Sequence, residues 1–386
     1  MTALEKLVLI GNFPPDRQES MARFTRLLAD GFTARSLPVE TWAPRPHFTR
    51  LVREYRYGGL PKYLGYLDKF VAFPREIRRR LRNAVPGTVF HVTDHANAVY
   101  APLFAGRPLL VTVHDLLQIR SALGEFPQNR IGRSGRRYQA WILRHLSRLH
   151  LAVCVSQKTQ NDLVRLAALA PAAAPVVHSS LNYPYSPMPP DEAAPLLARA
   201  LARRHAARPS RYLIAVGGAQ WYKNRDGLLK IFAALRRRSA AGRSLLHVGP
   251  AFDAAQDELI ARHGLAPHII RTDGLDNEEL RAAYSLADAL VFPSWEEGFG
   301  WPVAEAQACG CPVFATGRAP MTEVGGDAAR YFDPADPESA AALIDGTLSV
   351  SVDQLRESSR LHARRWAPAP MFDAYENLYR RLLHSA

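Results

Sequence analysis

Cysteine is scarce in this chain of 386 residues, with only Cys154, Cys309 and Cys311. Three are too few for a disulfide framework, and without a nearby histidine pair their spacing does not suggest zinc, so a reducing compartment fits. Long apolar runs are missing too. No stretch reaches about eighteen uninterrupted apolar residues, which excludes a membrane-spanning helix. The N-terminus enters the strand-like run Lys6 to Ile10 without the layout of a secretory signal, so a cytoplasmic protein is expected. Acidic residues are in short supply, 36 against 49 Lys and Arg, leaving a net charge of +13 and a sequence pI near 9.9. Such an excess calls for an anionic partner: nucleic acid, anionic lipid or a phosphorylated substrate. No helix-turn-helix, zinc-finger or RNP-like string is evident, which leaves nucleic acid the least supported of the three.

What is present is enough for full-sized cores: 47% of the residues are hydrophobic, and the length suggests two or three domains. The chain centres on Ala289 to Ala315, ALVFPSWEEGFGWPVAEAQACGCPVFA. Ala289 to Phe292 is a short, continuous apolar run, as a strand buried on both sheet faces would be, and Pro293-Ser294 ends it. Gly298 and Gly300 allow positive φ or close approach to a ligand, Pro302 suits the first position of a helix, and Gly310 can end that helix. Glu297 stands before the glycines and Glu305 inside the helix, so they can address two parts of one ligand. On one continuous helix they would point roughly 80° apart. The plain alternative is that Glu305 only stabilises a helix start.

Along the chain, strand-like runs alternate with amphipathic helical patterns, the rhythm of parallel βαβ units. Leu7 to Ile10 leads through Gly11 to a helix carrying Met21, Phe24, Leu27 and Leu28. Strands are expected at Val89 to Val92, at Leu109 to Val113 ending in His114-Asp115, and at Leu151 to Val155. Strand ends carry ligands in doubly wound sheets, which favours function for His114; the alternative is an imidazole capping the strand. Ala167 to Pro195, rich in alanine and proline, reads as a linker with one short strand at Val176-Val177. The rhythm then resumes with Tyr212 to Val216, Gly217-Gly218 and Trp221-Tyr-Lys-Asn224. Glycines between strand and helix turn backbone N–H groups toward an anion, and Lys223 adds a full charge. Leu245 to Gly249 and Ile269-Ile270 read as further strands, and Asp276 or Asn277 as the cap of a helix through Tyr284. A last amphipathic helix, Met371 to Leu383, carries Phe372, Tyr375 and Tyr379.

The string Glu297-Gly-Phe-Gly-Trp-Pro-Val-Ala-Glu305, followed by Cys309-Gly-Cys-Pro-Val-Phe314, resembles the donor-binding motif of retaining, nucleotide-sugar-dependent glycosyltransferases. The family is the large bacterial group 1 set, in its mannosyltransferase-like branch. The resemblance runs over nearly the whole chain and is most specific from Asp273 to Pro334. It implies an α/β GT-B fold of two doubly wound Rossmann-like domains with an interdomain cleft. The acceptor-side domain would span 1–182, the donor domain 183–366, and a helix at 367–386 would cross back to the first.

The resemblance also implies roles. Glu305 would bind the ribose hydroxyls and Glu297 the sugar hydroxyls, while His114 meets the sugar from the other domain. Lys223, Asn224, Gly217, Gly218 and the Gly298, Phe299 and Gly300 loop would hold the nucleotide, with Gly11 facing donor and acceptor. Glu323 matches a family carboxylate. The family's arginine upstream of the Lys-Asn pair is absent; Gly218-Ala219-Gln220 stand there, which leaves Lys223 as the phosphate cation. The resemblance implies metal independence, and no Asp-x-Asp string stands in a position to suggest a bound metal, so no metal or cofactor is expected. The expected reaction moves a hexose, mannose before others, from GDP or UDP to a glycan or lipid-linked acceptor in bacterial surface polysaccharide synthesis. The alternatives are another GT-B enzyme, such as a sugar-nucleotide epimerase or a glucan-synthase-like polymerase, or a non-catalytic basic binder of membrane or nucleic acid.

One region stands apart from the motif. Between Arg45 and Arg82 the basic residues Arg45, Arg50, Arg53, Arg56, Lys62, Lys69, Arg75, Arg78, Arg79, Arg80 and Arg82 face only Glu54, Asp68 and Glu76. Tyr55, Tyr57, Tyr63, Tyr66, Phe70 and Phe73 are interleaved with them. This mixture suits a membrane interface, and the inner face of the cytoplasmic membrane is the expected place; a solvated helical face with its aromatics in the core is the alternative.

Overall fold

The computed structural model describes residues 3–55, 58–238, 242–350 and 352–385. Two compact units result, one of residues up to Asn182 together with those from Pro368 on, the other Tyr183–Ala367. Each is built on one parallel sheet with helices between its strands.

The first sheet comprises β1 (Lys6–Ile10), β2 (Val39–Trp42), β3 (Thr88–Val92), β4 (Leu109–Val113) and β5 (Ala152–Cys154), in the order β2-β1-β3-β4-β5. The second comprises β6 (Tyr212–Val216), β7 (Ser244–Val248), β8 (Ile269–Thr272), β9 (Ala289–Phe292), β10 (Val313–Thr316) and β11 (Ala329–Phe332), in the order β11-β10-β9-β6-β7-β8. All the pairings are parallel. The strands are short apolar runs because both faces are covered; β3 and β9 are buried along their whole length. In each sheet the strand order reverses once, between β1 and β3 and between β6 and β9, and doubly wound sheets bind ligands outside the carboxyl ends at such a point.

β2, which the sequence did not announce, is a four-residue edge strand with only Trp42 buried, too little apolar signal to read. The stretch expected to be a linker, 167–195, has little regular structure before Pro190 and contains the division between the two units, but its last residues open a helix. Val176 bridges to Cys154, and Pro190–Ala202 is a helix with Pro195 inside it. Pro190 takes the first position, where its missing N–H has no helical partner anyway. Ala193, Leu197, Ala200 and Leu201 form a buried face that packs on the helix Asn277–Leu286, which offsets the bond lost at Pro195.

The final helix, Pro368–Ser385, belongs to the first unit. A buried network holds it there: His91 Nδ1 lies 2.8 Å from the Tyr379 hydroxyl, His91 Nε2 2.7 Å from Thr112 Oγ1, and Thr112 Oγ1 3.0 Å from the Tyr375 hydroxyl. Gly31 faces it; a Cβ there would sit 1.9 Å from the Phe372 ring, so only glycine allows this approach. Among the described residues no helix is long and apolar enough to cross a membrane.

Candidate functional site

At the reversal point of the second sheet, the turn after β6 and the loop after β9 are tied together through their backbones. Asn224 adopts the left-handed conformation, φ 51°. Its Oδ1 accepts the Gly227 N–H at 3.1 Å, capping the helix Arg225–Arg238. Its Nδ2 donates to the Pro293 carbonyl at 3.0 Å. The Trp295 N–H donates to the Tyr222 carbonyl at 2.7 Å. With both carboxamide atoms engaged by the protein, Asn224 positions the loop that carries Lys223.

That loop brings Lys223 Nζ to 2.7 Å from Glu297 Oε1. The ammonium also lies over the rings of Tyr222 and Phe292, 5.4 Å from each centroid. Lys223 lines a small cavity with Gly217, Gly218, Arg225, His247 and Ser294. Cation, carboxylate and glycine turn therefore meet although 74 residues separate Lys223 from Glu297.

Gly300, at φ 94°, is the N-cap of the helix Trp301–Ala308, and Pro302 takes its second position rather than the first. Glu305 is then the fifth helical residue, past the first turn, so it does not serve as a helix-start carboxylate. It is buried, and the buried Tyr284 hydroxyl donates to its Oε2 at 3.2 Å. Phe299 packs edge-on against Trp366 at 5.3 Å, which anchors the loop beside Gly298. Glu323 stands half-buried in the first turn of the helix Met321–Gly325.

In the first unit, Gly11 follows β1 and donates to the Trp42 carbonyl at 2.8 Å. His114 follows β4; it is buried, meets Phe24 edge-on at 4.6 Å, and places Nε2 2.8 Å from the Thr93 carbonyl. Burial lowers its pKa, with Asp94 and the Thr93 bond opposing. A carbonyl only accepts, so the neutral ring carries its proton on Nε2 and leaves a lone pair on Nδ1. Sequence reasoning passed over the neighbours at the reversal point of this sheet. Asn12 Nδ2 lies 2.5 Å from Asp94 Oδ2, and Asn97 Nδ2 lies 3.0 Å from Asn12 Oδ1. Their positions just past β1 and β3 were the available signal.

Comparison with known proteins agrees with this layout. The family model described as Glycosyl transferases group 1 matches residues 201–366, and that of Glycosyltransferase Family 4 matches residues 21–182. The chain is 28% identical over 273 residues to the O-antigen chain mannosyltransferase B of Escherichia coli, covering 69% of this chain and 67% of that protein. It is 31% identical over 225 residues to a D-inositol 3-phosphate glycosyltransferase of Salinispora arenicola, covering 54% of this chain and 48% of that one. The chain thus spans about two thirds of the first relative and about half of the second. Among solved structures, the sucrose-phosphate synthase of Thermosynechococcus elongatus superposes with a TM-score of 0.72 over 99% of this chain and 100% of that one, at 17% identity. Two parallel-sheet units and two family models that divide most of the chain between them lead to one conclusion: the chain belongs to the group 1 glycosyltransferases of the GT-B fold.

Proposed function

We propose that the protein moves a hexose, with mannose favoured, from a nucleotide diphosphate sugar to a hydroxyl of a glycan or lipid-linked acceptor, with retention of configuration. The observation that carries this reading is the Lys223–Glu297 pair at the β6/β9 reversal point, beside Gly300 and the buried Glu305. Glu305 would take the ribose hydroxyls and Glu297 the sugar hydroxyls. Lys223 and the loop amides around Gly298 and Gly300 would stabilise the departing diphosphate without a metal. The first unit would contribute His114, through its Nδ1 lone pair. No residue at the site is proposed as a covalent nucleophile; the departing phosphate would take the acceptor's proton. The relative named as an O-antigen chain mannosyltransferase supports mannose as the hexose and a role in surface polysaccharide synthesis; GDP-mannose is the first choice of donor and UDP-sugars the second.

The test is nucleotide release from GDP-mannose and UDP-sugars, with and without a hydroxyl acceptor and with a chelator present, followed by determination of the product anomer. Release that needs acceptor, survives chelation and yields a retained anomer is expected. Conversion of the donor without acceptor would point to an epimerase, and no turnover of any donor to a non-catalytic binder.

An anionic membrane is the proposed docking surface for the acceptor side, at the cytoplasmic face. Arg45, Arg50, Arg53, Arg75, Arg78, Arg79 and Arg82 are exposed, as are the apolar Leu51, Leu60, Tyr63 and Leu67. The rest of that segment turns inward: Phe73 is core, Tyr66 and Phe70 pack on Tyr138, and Lys69 and Arg80 are paired with carboxylates. Asp68 is buried, accepting from the N–H groups of His47, Phe48 and Thr49, so it does not offset the surface charge. Arg56 and Tyr57 lie outside the described residues.

A further inference from the structure

Two arginines are buried in the described structure, Arg225 and Arg243, with 6% and 5% exposure. Arg243 is matched in charge: its Nε lies 2.7 Å from Asp288 Oδ2. Arg225 is not. Among the described residues no carboxylate reaches ion-pair distance of it; Asp226 and Asp253 act on it only from farther away. Its Nη2 donates to the Pro250 carbonyl and its guanidinium stacks on Phe252 at 4.6 Å, while its Nε is buried without a hydrogen-bond partner. A carbonyl and a ring face hold the group in place but leave its charge uncompensated, and a buried charge without a counter-ion is costly.

Arg225 lines the same cavity as Gly217, Gly218 and Lys223. There Lys223 is already neutralised by Glu297 at 2.7 Å. The one cation that sequence reasoning assigned to the diphosphate therefore arrives with its own carboxylate, and the arginine expected near Gly218 to Gln220 is missing. A diphosphate needs positive charge that the Lys223–Glu297 pair alone does not supply.

We propose that Arg225, two residues after Lys223, is the second phosphate-binding cation of this protein, its guanidinium replacing the absent upstream arginine and engaging the diphosphate of the sugar nucleotide. This rests on the donor-site reading given above. The two cations divide the work. Arg225 holds the anion on entry, and Lys223 joins as Glu297 turns to the sugar hydroxyls. The guanidinium fork also favours two oxygens of one phosphate over a single contact.

The experiment is calorimetric titration of GDP and guanosine, with UDP and uridine in parallel, into wild type, Arg225→Met and Arg225→Lys, alongside the thermal midpoint of each free protein. Arg225→Met is expected to weaken diphosphate binding about tenfold to a hundredfold, the range of a lost charge-assisted hydrogen bond, with nucleoside binding unchanged. Arg225→Lys should fall between the two. If Arg225→Met does not fold, Arg225→Lys carries the test, because it keeps the charge and loses the fork. Equal losses for diphosphate and nucleoside, or unchanged diphosphate binding, would overturn the proposal and leave Arg225 as a brace for the Pro250 loop. If the wild type binds neither GDP nor UDP, the donor-site reading fails and takes this one with it.

Discussion

Two lysine–carboxylate pairs, Lys69–Asp16 in the first unit and Lys223–Glu297 in the second, are both largely shielded from solvent and differ in what surrounds them. In the first, Lys69 Nζ lies 2.8 Å from Asp16 Oδ2, and Asp16 Oδ1 accepts the Tyr55 hydroxyl at 2.7 Å. The rings of Phe13, Tyr66 and Phe70 lie 5.3 to 5.9 Å from the ammonium. Both carboxylate oxygens are bonded and aromatic carbon closes the rest, so this pair is a strut. In the second, Lys223 and Glu297 are just as close, 2.7 Å, but beside a cavity and a glycine turn. Under the proposed function a ligand would compete there for both partners. Close contact is common to both pairs; only the second has room for exchange.

The strongest way to break this comparison is Lys69→Met, which leaves Asp16 buried without its cation. About 3 to 5 kcal/mol of stability should be lost, read by urea unfolding of the first unit, and Asp16→Leu in the same chain should restore most of it. Lys223→Met also leaves a buried carboxylate, Glu297, without its cation and should cost stability too. In addition it should weaken diphosphate binding much more than nucleoside binding, which Lys69→Met should not. If Lys223→Met unfolds the protein while Lys69→Met is harmless, the two roles are the wrong way round.

Next in size are Glu297→Gln and Glu305→Gln. Each should lower kcat/KM about tenfold to a hundredfold, as a lost charge-assisted hydrogen bond of roughly 1.5 to 3 kcal/mol would, while circular dichroism stays that of wild type. Full turnover by both would remove the site from the β6/β9 edge. His114→Ala should lower turnover more than nucleotide affinity; a drop in affinity alone would contradict its assignment to the sugar.

A second comparison sets the Lys223–Glu297 pair against the fixed His91 network. Burial pushes the His91 imidazole down to about 3 from 6.5, with His114 adding to the shift. The folded protein therefore keeps His91 neutral, while the unfolded chain takes up a proton below pH 6.5. The stabilisation is complete above that pH and is lost progressively as pH falls toward about 3. At pH 5 the loss is about 2 kcal/mol, from 1.36 kcal/mol per unit over the interval. His247, also pushed down to about 3 by burial, adds in the same direction in the second unit. His91→Gln should flatten the acid limb of stability in the first unit; an unchanged limb would mean that His91 is not what titrates.

The smallest effect per residue is at the surface. Neutralising Arg75, Arg78 and Arg79 should weaken binding to anionic vesicles by about 1 kcal/mol for each, read by co-sedimentation across a salt series, with neutral vesicles unbound throughout. No change would make these residues ordinary solvation.

How much of this was legible beforehand depended on distance along the chain. β6 and β9, the Asp276 cap and the loop from Glu297 to Glu305 are local features, set by apolar runs, glycines and a capping box. The helix Pro190–Ala202 was missed because its stability comes from the face it buries, while its prolines speak locally for a linker. β2 was missed because an edge strand with one buried residue has almost no pattern.

The sequence by itself determined the fold class, two parallel α/β sheets, and which residue types gather at the strand ends, because periodicity and turn chemistry act over a few residues. Tertiary structure alone decided how those residues are used. Pairing Lys223 with Glu297, hiding Lys69 behind aromatic rings and leaving Arg225 without a carboxylate depend on contacts between segments far apart in the chain. Burial then turns the same side chains into struts or binding groups, because the worth of a charge depends on the solvent and partners that the fold leaves around it.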